Sequence, residues 1–221
     1  MKYMIHTYKD RLWYVNEYLV PSLLKQGISI DNIIVYADMN KDGNLVSFLK
    51  SIDVLSDDDV DVWHLQDDVL VCSDFRVRAE QEYKTELVCG FASVYDNFSK
   101  TGIQYELKDI WFSFPCIRIR TGLLKHFKIW FDSYVGSDAR FNTWVETNKH
   151  DDLLFRYFLE NYHTEIRATN LVPNLVEHID WLIGGSLVNQ IRSDDARSRY
   201  WNEKNLVEEL EKSLQKRVDK R

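Results

Sequence analysis

The sequence predicts an α/β fold: one domain on a mixed, mainly parallel central sheet flanked by helices. Three observations lead there. In the first 71 residues, apolar runs of strand length alternate with segments of helical periodicity, the order that gives parallel strands joined by crossover helices. Beyond them, the runs 87–93, 105–112 and 116–119 look like strands without long helices between, so the sheet turns mixed. The 221 residues, 45% hydrophobic and 14% aromatic, suffice for one sizeable core, and three prolines and eight glycines leave little for linkers.

Residues 2–7 read as the first strand. Asp10 is the expected N-cap of a helix with Leu12, Val15, Leu19 and Leu23 at helical spacing and a kink at Pro21. The run 32–38 is a buried strand that ends in Asp38 and the turn 39–44, followed by a helix over 45–52. An acidic loop, 57–61, then enters the strand-like run from Trp63 to Val71. Helices are expected at 73–83, 123–134 and 151–162, and 203–218 is a charged amphipathic helix with Leu206, Leu210 and Leu214 on one face.

The formal charge of −7 argues against nonspecific adhesion to nucleic acid as the main activity. There is no apolar run long enough to span a membrane and no signal-peptide architecture at the start, so a soluble cytoplasmic protein is expected. Cys72, Cys89 and Cys116 form no CxxC pair and read as small core residues.

The chemistry-bearing stretch is Trp63-His64-Leu65-Gln66-Asp67-Asp68-Val69-Leu70-Val71. A strand interior excludes Asp, because burying an unpartnered carboxylate costs several kcal/mol. A divalent cation, an Arg or Lys partner, or a position at the strand's end facing a cleft would offset that cost. Hard oxygen ligands at a strand terminus suit Mg²⁺ or Mn²⁺ with substrate phosphates. A second stretch places His178 beside Glu177 and Asp180, ahead of a Gly184-Gly185-Ser186 turn whose N–H groups could cradle phosphate. A third, His150-Asp151-Asp152, opens a helix, where acids are ordinary helix electrostatics. Arg118 and Arg120 alternate along a strand, with Lys125, His126 and Lys128 nearby, as contacts for donor phosphates or an anionic acceptor or as solvated charges. The run from Asp38 to Gly43 copies the start of a calcium loop, but Leu49 stands where a bidentate Glu is required, so it reads as a turn.

In their order, these motifs resemble those of the GT-A fold glycosyltransferases, from about Tyr3 to Ser186. The resemblance implies a GT-A-like sheet with a nucleotide-binding half over 1–70, an acceptor-side half over 71–186 and a helical tail over 187–221. It implies a nucleotide-sugar donor, a UDP-sugar as first choice, held through Mn²⁺ or Mg²⁺. Asp68 would ligate the metal with Asp67 in support, His178 would be the third ligand, and Asp152, or else Asp151, would deprotonate the acceptor. His6, Thr7, Tyr8, Arg11 and Asp38 would contact base, ribose or phosphate, and Gly185 and Ser186 the phosphates. Gln66 departs from the family's acidic motif. The acceptor is left open among a glycan, a protein and a modified nucleic-acid base; a viral origin would place the protein in the host cytoplasm. A nucleotidyltransferase and a non-catalytic binding module on the same fold are the competing readings; no P-loop string supports the former.

Overall fold

Alternation along the strands decides the architecture. Met4, Val62, Ile117 and Ile119 belong to one buried cluster, and Tyr3, Ile5, Trp63, Leu65 and Cys116 to another. Side chains at successive strand positions face opposite ways, so a sheet apolar on both faces must be covered on both. The protein, described here from a computed structural model, is defined over residues 1–55, 58–91, 104–106, 114–147, 150–184 and 201–218.

The chain enters through β1 (Lys2–Tyr8) and a helical segment with three windings: a 3₁₀ turn at Lys9–Arg11, α1 (Leu12–Tyr14) with a π turn at Val15–Leu19, and α2 (Val20–Lys25). Pro21 sits in the first turn of α2, where a missing N–H costs little, so the expected kink is realised as a change of winding ahead of it. Asp10 is not a cap: Tyr8 occupies the N-cap position, and Asp10 forms an exposed pair with Lys41 at 2.7 Å. Strand β2 (Ile33–Asp38), α3 (Asn44–Ile52) and β3 (Asp61–Gln66) complete the parallel part.

The run from Trp63 to Val71 is two strands. Asp67 and Asp68 form the turn between β3 and β4 (Val69–Val71), which belongs to a separate ribbon. The helix expected over 73–83 contracts to α4 (Phe75–Ala79), and β5 spans Leu87–Cys89. Of the strand expected over 105–112, β6 (Gln104–Glu106) is described and 107–112 lie outside the described residues. Then follow β7 (Cys116–Arg120), α5 (Thr121–Tyr134), α6 (Ala139–Thr147), α7 (Asp151–Tyr162), β8 (Arg167–Asn170), β9 (Val176–His178) and α8 (Lys204–Val218).

Among the described residues the main sheet has seven strands in the order β2-β1-β3-β7-β5-β8-β6, and β4 pairs with β9 in the ribbon. The β1–β2, β1–β3 and β5–β8 ladders are parallel; β3–β7, β5–β7 and β6–β8 are antiparallel. Phe48 of α3, Phe127 of α5 and Phe155 of α7 pack on one face. Tyr14, Leu19, Phe75 and Leu210, from the helical segment before β2, α4 and α8, pack on the other. All three cysteines are buried and free, as small core residues.

Candidate metal and donor site

Parallel register brings the first three strands to a common end. Tyr8 stands opposite Asp38, and His6 opposite Gln66, so Tyr8, Asp38 and the turn carrying Asp67 and Asp68 are neighbours at the carboxyl end of the sheet. That is where ligands of such sheets bind.

The acid pair is buried and internally compensated. Asp67 Oδ2 accepts from Thr7 Oγ1 at 2.8 Å and from the Tyr8 backbone N–H at 3.0 Å, and Oδ1 accepts from Arg11 Nη1 at 2.9 Å. The same Arg11 nitrogen donates to Asp68 Oδ2 at 2.6 Å. Arg11 is itself buried, at 4% exposure, so one guanidinium is the shared counter-ion of both carboxylates. Burial, then the neighbouring Asp68, pushes the Asp67 carboxyl up, and Arg11 opposes both.

Strand β9 delivers His178. In the β4–β9 ladder Val69 pairs with His178, and the Ile179 N–H donates to the Asp68 carbonyl at 2.8 Å. His178 Nε2 thereby lies 3.2 Å from Asp68 Oδ2, with its Nδ1 3.9 Å from Asp180 Oδ1. Burial raises the Asp68 carboxyl, but His178 and then Arg11 outweigh it and hold the group well below the usual carboxylate range. Burial lowers His178, but Asp68 more than reverses this and brings it up to about 9.

The second acid pair approaches from α7. Asp151 Oδ1 accepts from Asn44 Nδ2 at 2.5 Å, and Asn44 Oδ1 accepts from the Tyr8 hydroxyl at 3.2 Å. A chain of contacts thus links the start of α7 to the end of β1. Burial, then Asp152, pushes Asp151 up to about 8. Asp152 Oδ1 accepts from the adjacent Leu153 N–H, and burial raises it too.

His6 and Thr7, expected to touch the donor, are enclosed at 3% and 0% exposure. His6 Nε2 is 2.6 Å from Ser47 Oγ, and burial holds it down at about 4 against Asp38 and Asp68, so the ring is neutral. Asp38 Oδ1 closes a turn by accepting from the Asn40 N–H at 3.1 Å, while its buried Oδ2 has no partner. Gly185 and Ser186 lie outside the described residues. Arg118 and Arg120 do not reach the site: antiparallel register sets Arg120 opposite Asp61, at the far end of β3 from the acid pair. Arg118 pairs with Asp61 at 3.9 Å and Arg120 with Asp59 at 3.0 Å.

The donor set fits a hard divalent cation in one place. Asp68 Oδ1 is buried without a hydrogen-bond partner, on a carboxylate whose Oδ2 meets an imidazole nitrogen, and Mg²⁺ is commonly held by one or two protein groups plus phosphates and water. Asp67 is differently placed, since both its oxygens are committed to Thr7, Tyr8 and Arg11. Among the described residues, the group that brings three potential ligands together is Cys72, Asp74 and Glu203. Protein donors already serve it: the Cys72 thiol donates to Asp74, Arg78 lies 3.7 Å from Asp74, and Ser73 donates to Glu203 through N and Oγ.

Sequence reasoning missed Asn44, Ser47 and Asp180 as parts of this site. Asp180 carried a signal, two residues past His178; Asn44 and Ser47 carried none.

No family model and no curated protein matches the chain. Among solved structures it is similar to TarS 1–349 of S. aureus, at 16% identity over 77% of this chain and 58% of that one, with a TM-score of 0.49. It is also similar to the galactosyltransferase LgtC in complex with donor and acceptor sugar analogs, at 14% identity over 97% and 96% of the two chains and a TM-score of 0.48. A point mutant of the Drosophila β1,4-galactosyltransferase 7, in complex with manganese, UDP-Gal and xylobiose, gives 10% identity over 93% and 73%, with a TM-score of 0.45.

Proposed function

We propose that this protein is a metal-dependent glycosyltransferase that moves a sugar from a nucleoside diphosphate donor, a UDP-sugar by preference, to an acceptor hydroxyl. One observation carries the reading: Asp68, whose Oδ2 meets His178 at the shared end of β1, β2 and β3, keeps a buried Oδ1 without a partner. Asp68 and His178 would hold Mn²⁺ or Mg²⁺, which when bound neutralises charge on the diphosphate leaving group.

The other residues have separate tasks. Arg11 and Asp67 hold the turn in place, so the site is organised before a donor arrives. Asp180 faces the far nitrogen of His178 and orients the ring. Tyr8 and Asp38, at the ends of neighbouring strands, flank the space for base and ribose. Asp151 is our choice of acceptor base over Asp152. Each acid accepts from the N–H of the residue after it, but only Asp151 is also held by Asn44 through Oδ1 and keeps a buried Oδ2 without a partner. A carboxyl raised to about 8 is a stronger proton acceptor once ionised than an ordinary one.

Calorimetry with a panel of nucleotide sugars, with and without Mn²⁺, tests this. At least one donor should bind in a Mn²⁺-dependent way, and the dependence should vanish in Asp68→Ala while the folded state persists. A donor affinity indifferent to Mn²⁺ in the wild type would sink the assignment.

A further inference from the structure

An aromatic pocket on the helical face lies away from the site just described. Trp130 is its floor, at 8% exposure. Its walls are Tyr134, Phe141, Tyr157 and Tyr162, with ring centroids 5.6, 5.4, 6.1 and 5.6 Å from the indole. Together with Asp138 and Arg140 these rings enclose about 340 Å³, within the range of small-molecule sites. Tyr157 and Tyr162 are 41% and 46% exposed, which is more aromatic surface than the packing of the face requires.

The polar groups at the mouth select the occupant. Asp138 Oδ1 accepts from the Arg140 and Phe141 N–H groups and so caps the start of α6, leaving Oδ2 for a hydroxyl. Arg140 forms no ion pair among the described residues. The carboxylate disfavours an anion such as a phosphate, and the guanidinium disfavours a cation that the rings would otherwise attract. A neutral molecule with an apolar face and a rim of hydroxyls satisfies both. A pyranose is such a molecule: its C–H face lies on an aromatic ring while its hydroxyls meet carboxylate, guanidinium and phenol.

Position defines its relation to the chemistry. Asp151 opens α7 and Tyr162 closes it, so at about 1.5 Å per residue the two ends lie about 17 Å apart. We propose that the pocket is a saccharide subsite, gripping the part of a glycan acceptor remote from the hydroxyl that reacts. The acceptor role rests on the glycosyltransferase reading; saccharide binding at the pocket does not.

Saturation-transfer NMR on the full chain with lactose, cellobiose and maltose, beside uridine monophosphate and tetramethylammonium, tests the pocket. Ring C–H protons of at least one disaccharide should take up saturation. Titration should then weaken by about tenfold or more in Tyr162→Ala and in Arg140→Ala, both changes at the solvent-facing mouth. Asp68→Ala should leave this binding unchanged. Binding by none of the disaccharides, binding indifferent to both mouth substitutions, or preferential binding of tetramethylammonium or the nucleotide that these substitutions abolish would overturn the proposal. Absence of Mn²⁺-dependent donor binding in the wild type, with sugar binding retained, would instead remove the catalytic reading alone.

Discussion

The dipeptide Asp-Asp occurs at two places in this site and meets opposite fates. At the turn after β3, Asp68 is buried yet held ionised, because Arg11 and His178 both contact it. At the start of α7, Asp151 is equally buried, but its partner is the neutral amide of Asn44, and it is pushed up to about 8. Burial is common to the two; the presence of a cation decides between a fixed anion and a proton carrier. In the proposed function, one dipeptide would supply a place for a metal and the other a group able to exchange a proton near neutral pH.

The largest effect should come from removing the cation that separates the two cases. Arg11→Ala leaves buried Asp67 without a cation and Asp68 with His178 alone, and should cost about 3–5 kcal/mol. Urea unfolding should show it, with Arg11→Lys recovering part, and an unchanged midpoint would detach Arg11 from the pair. Next is Asp151→Asn. Because the folded chain raises this carboxyl from its ordinary 3.8 to about 8, its ionisation opposes folding. The penalty is absent below about pH 4, grows as pH rises and is complete above about pH 8. The stability of Asp151→Asn relative to the wild type should therefore increase by a few kcal/mol across that window and then level off. A difference independent of pH would show that the two acid pairs are alike. The smallest effect belongs to Asp180→Asn, which loosens the His178 ring without touching Asp68. Mn²⁺ affinity should fall by about tenfold with little change in unfolding, as for other groups that orient a metal ligand.

Much of this arrangement was legible because strand ends are written locally. The apolar run closing in Asp38 and the acids after Gln66 mark carboxyl ends by themselves, and the order of Asp68, Asp151 and His178 along the chain was informative. Partnership was not legible. Arg11 read as a group awaiting phosphate, whereas it is spent on Asp67 and Asp68, 56 and 57 residues away. Asn44 meets Asp151 across 107 residues, a distance over which periodicity says nothing. Strands β4 and β9 have three residues each, too short for an alternation signal, so the run through the acid pair read as one strand instead of two. The aromatic pocket escaped for the same reason, since its rings come from three helices whose packing no single stretch encodes.

The β4–β9 ribbon has a consequence for measurement. Asp68 and His178 are separated by 110 positions, yet backbone pairing of Val69 with His178 and of Ile179 with Asp68 makes them as near neighbours as residues across a hairpin. Their spacing is thus governed by a three-rung ladder separate from the ladders of the main sheet. The amide protons of Cys72 and Ile179, which donate to the Leu175 and Asp68 carbonyls, become built-in reporters: their exchange with solvent gauges how long the ribbon stays closed. A donor or metal that bridges the two side chains would slow that exchange ahead of the rest of the sheet, and so register occupancy in the backbone of the bare protein.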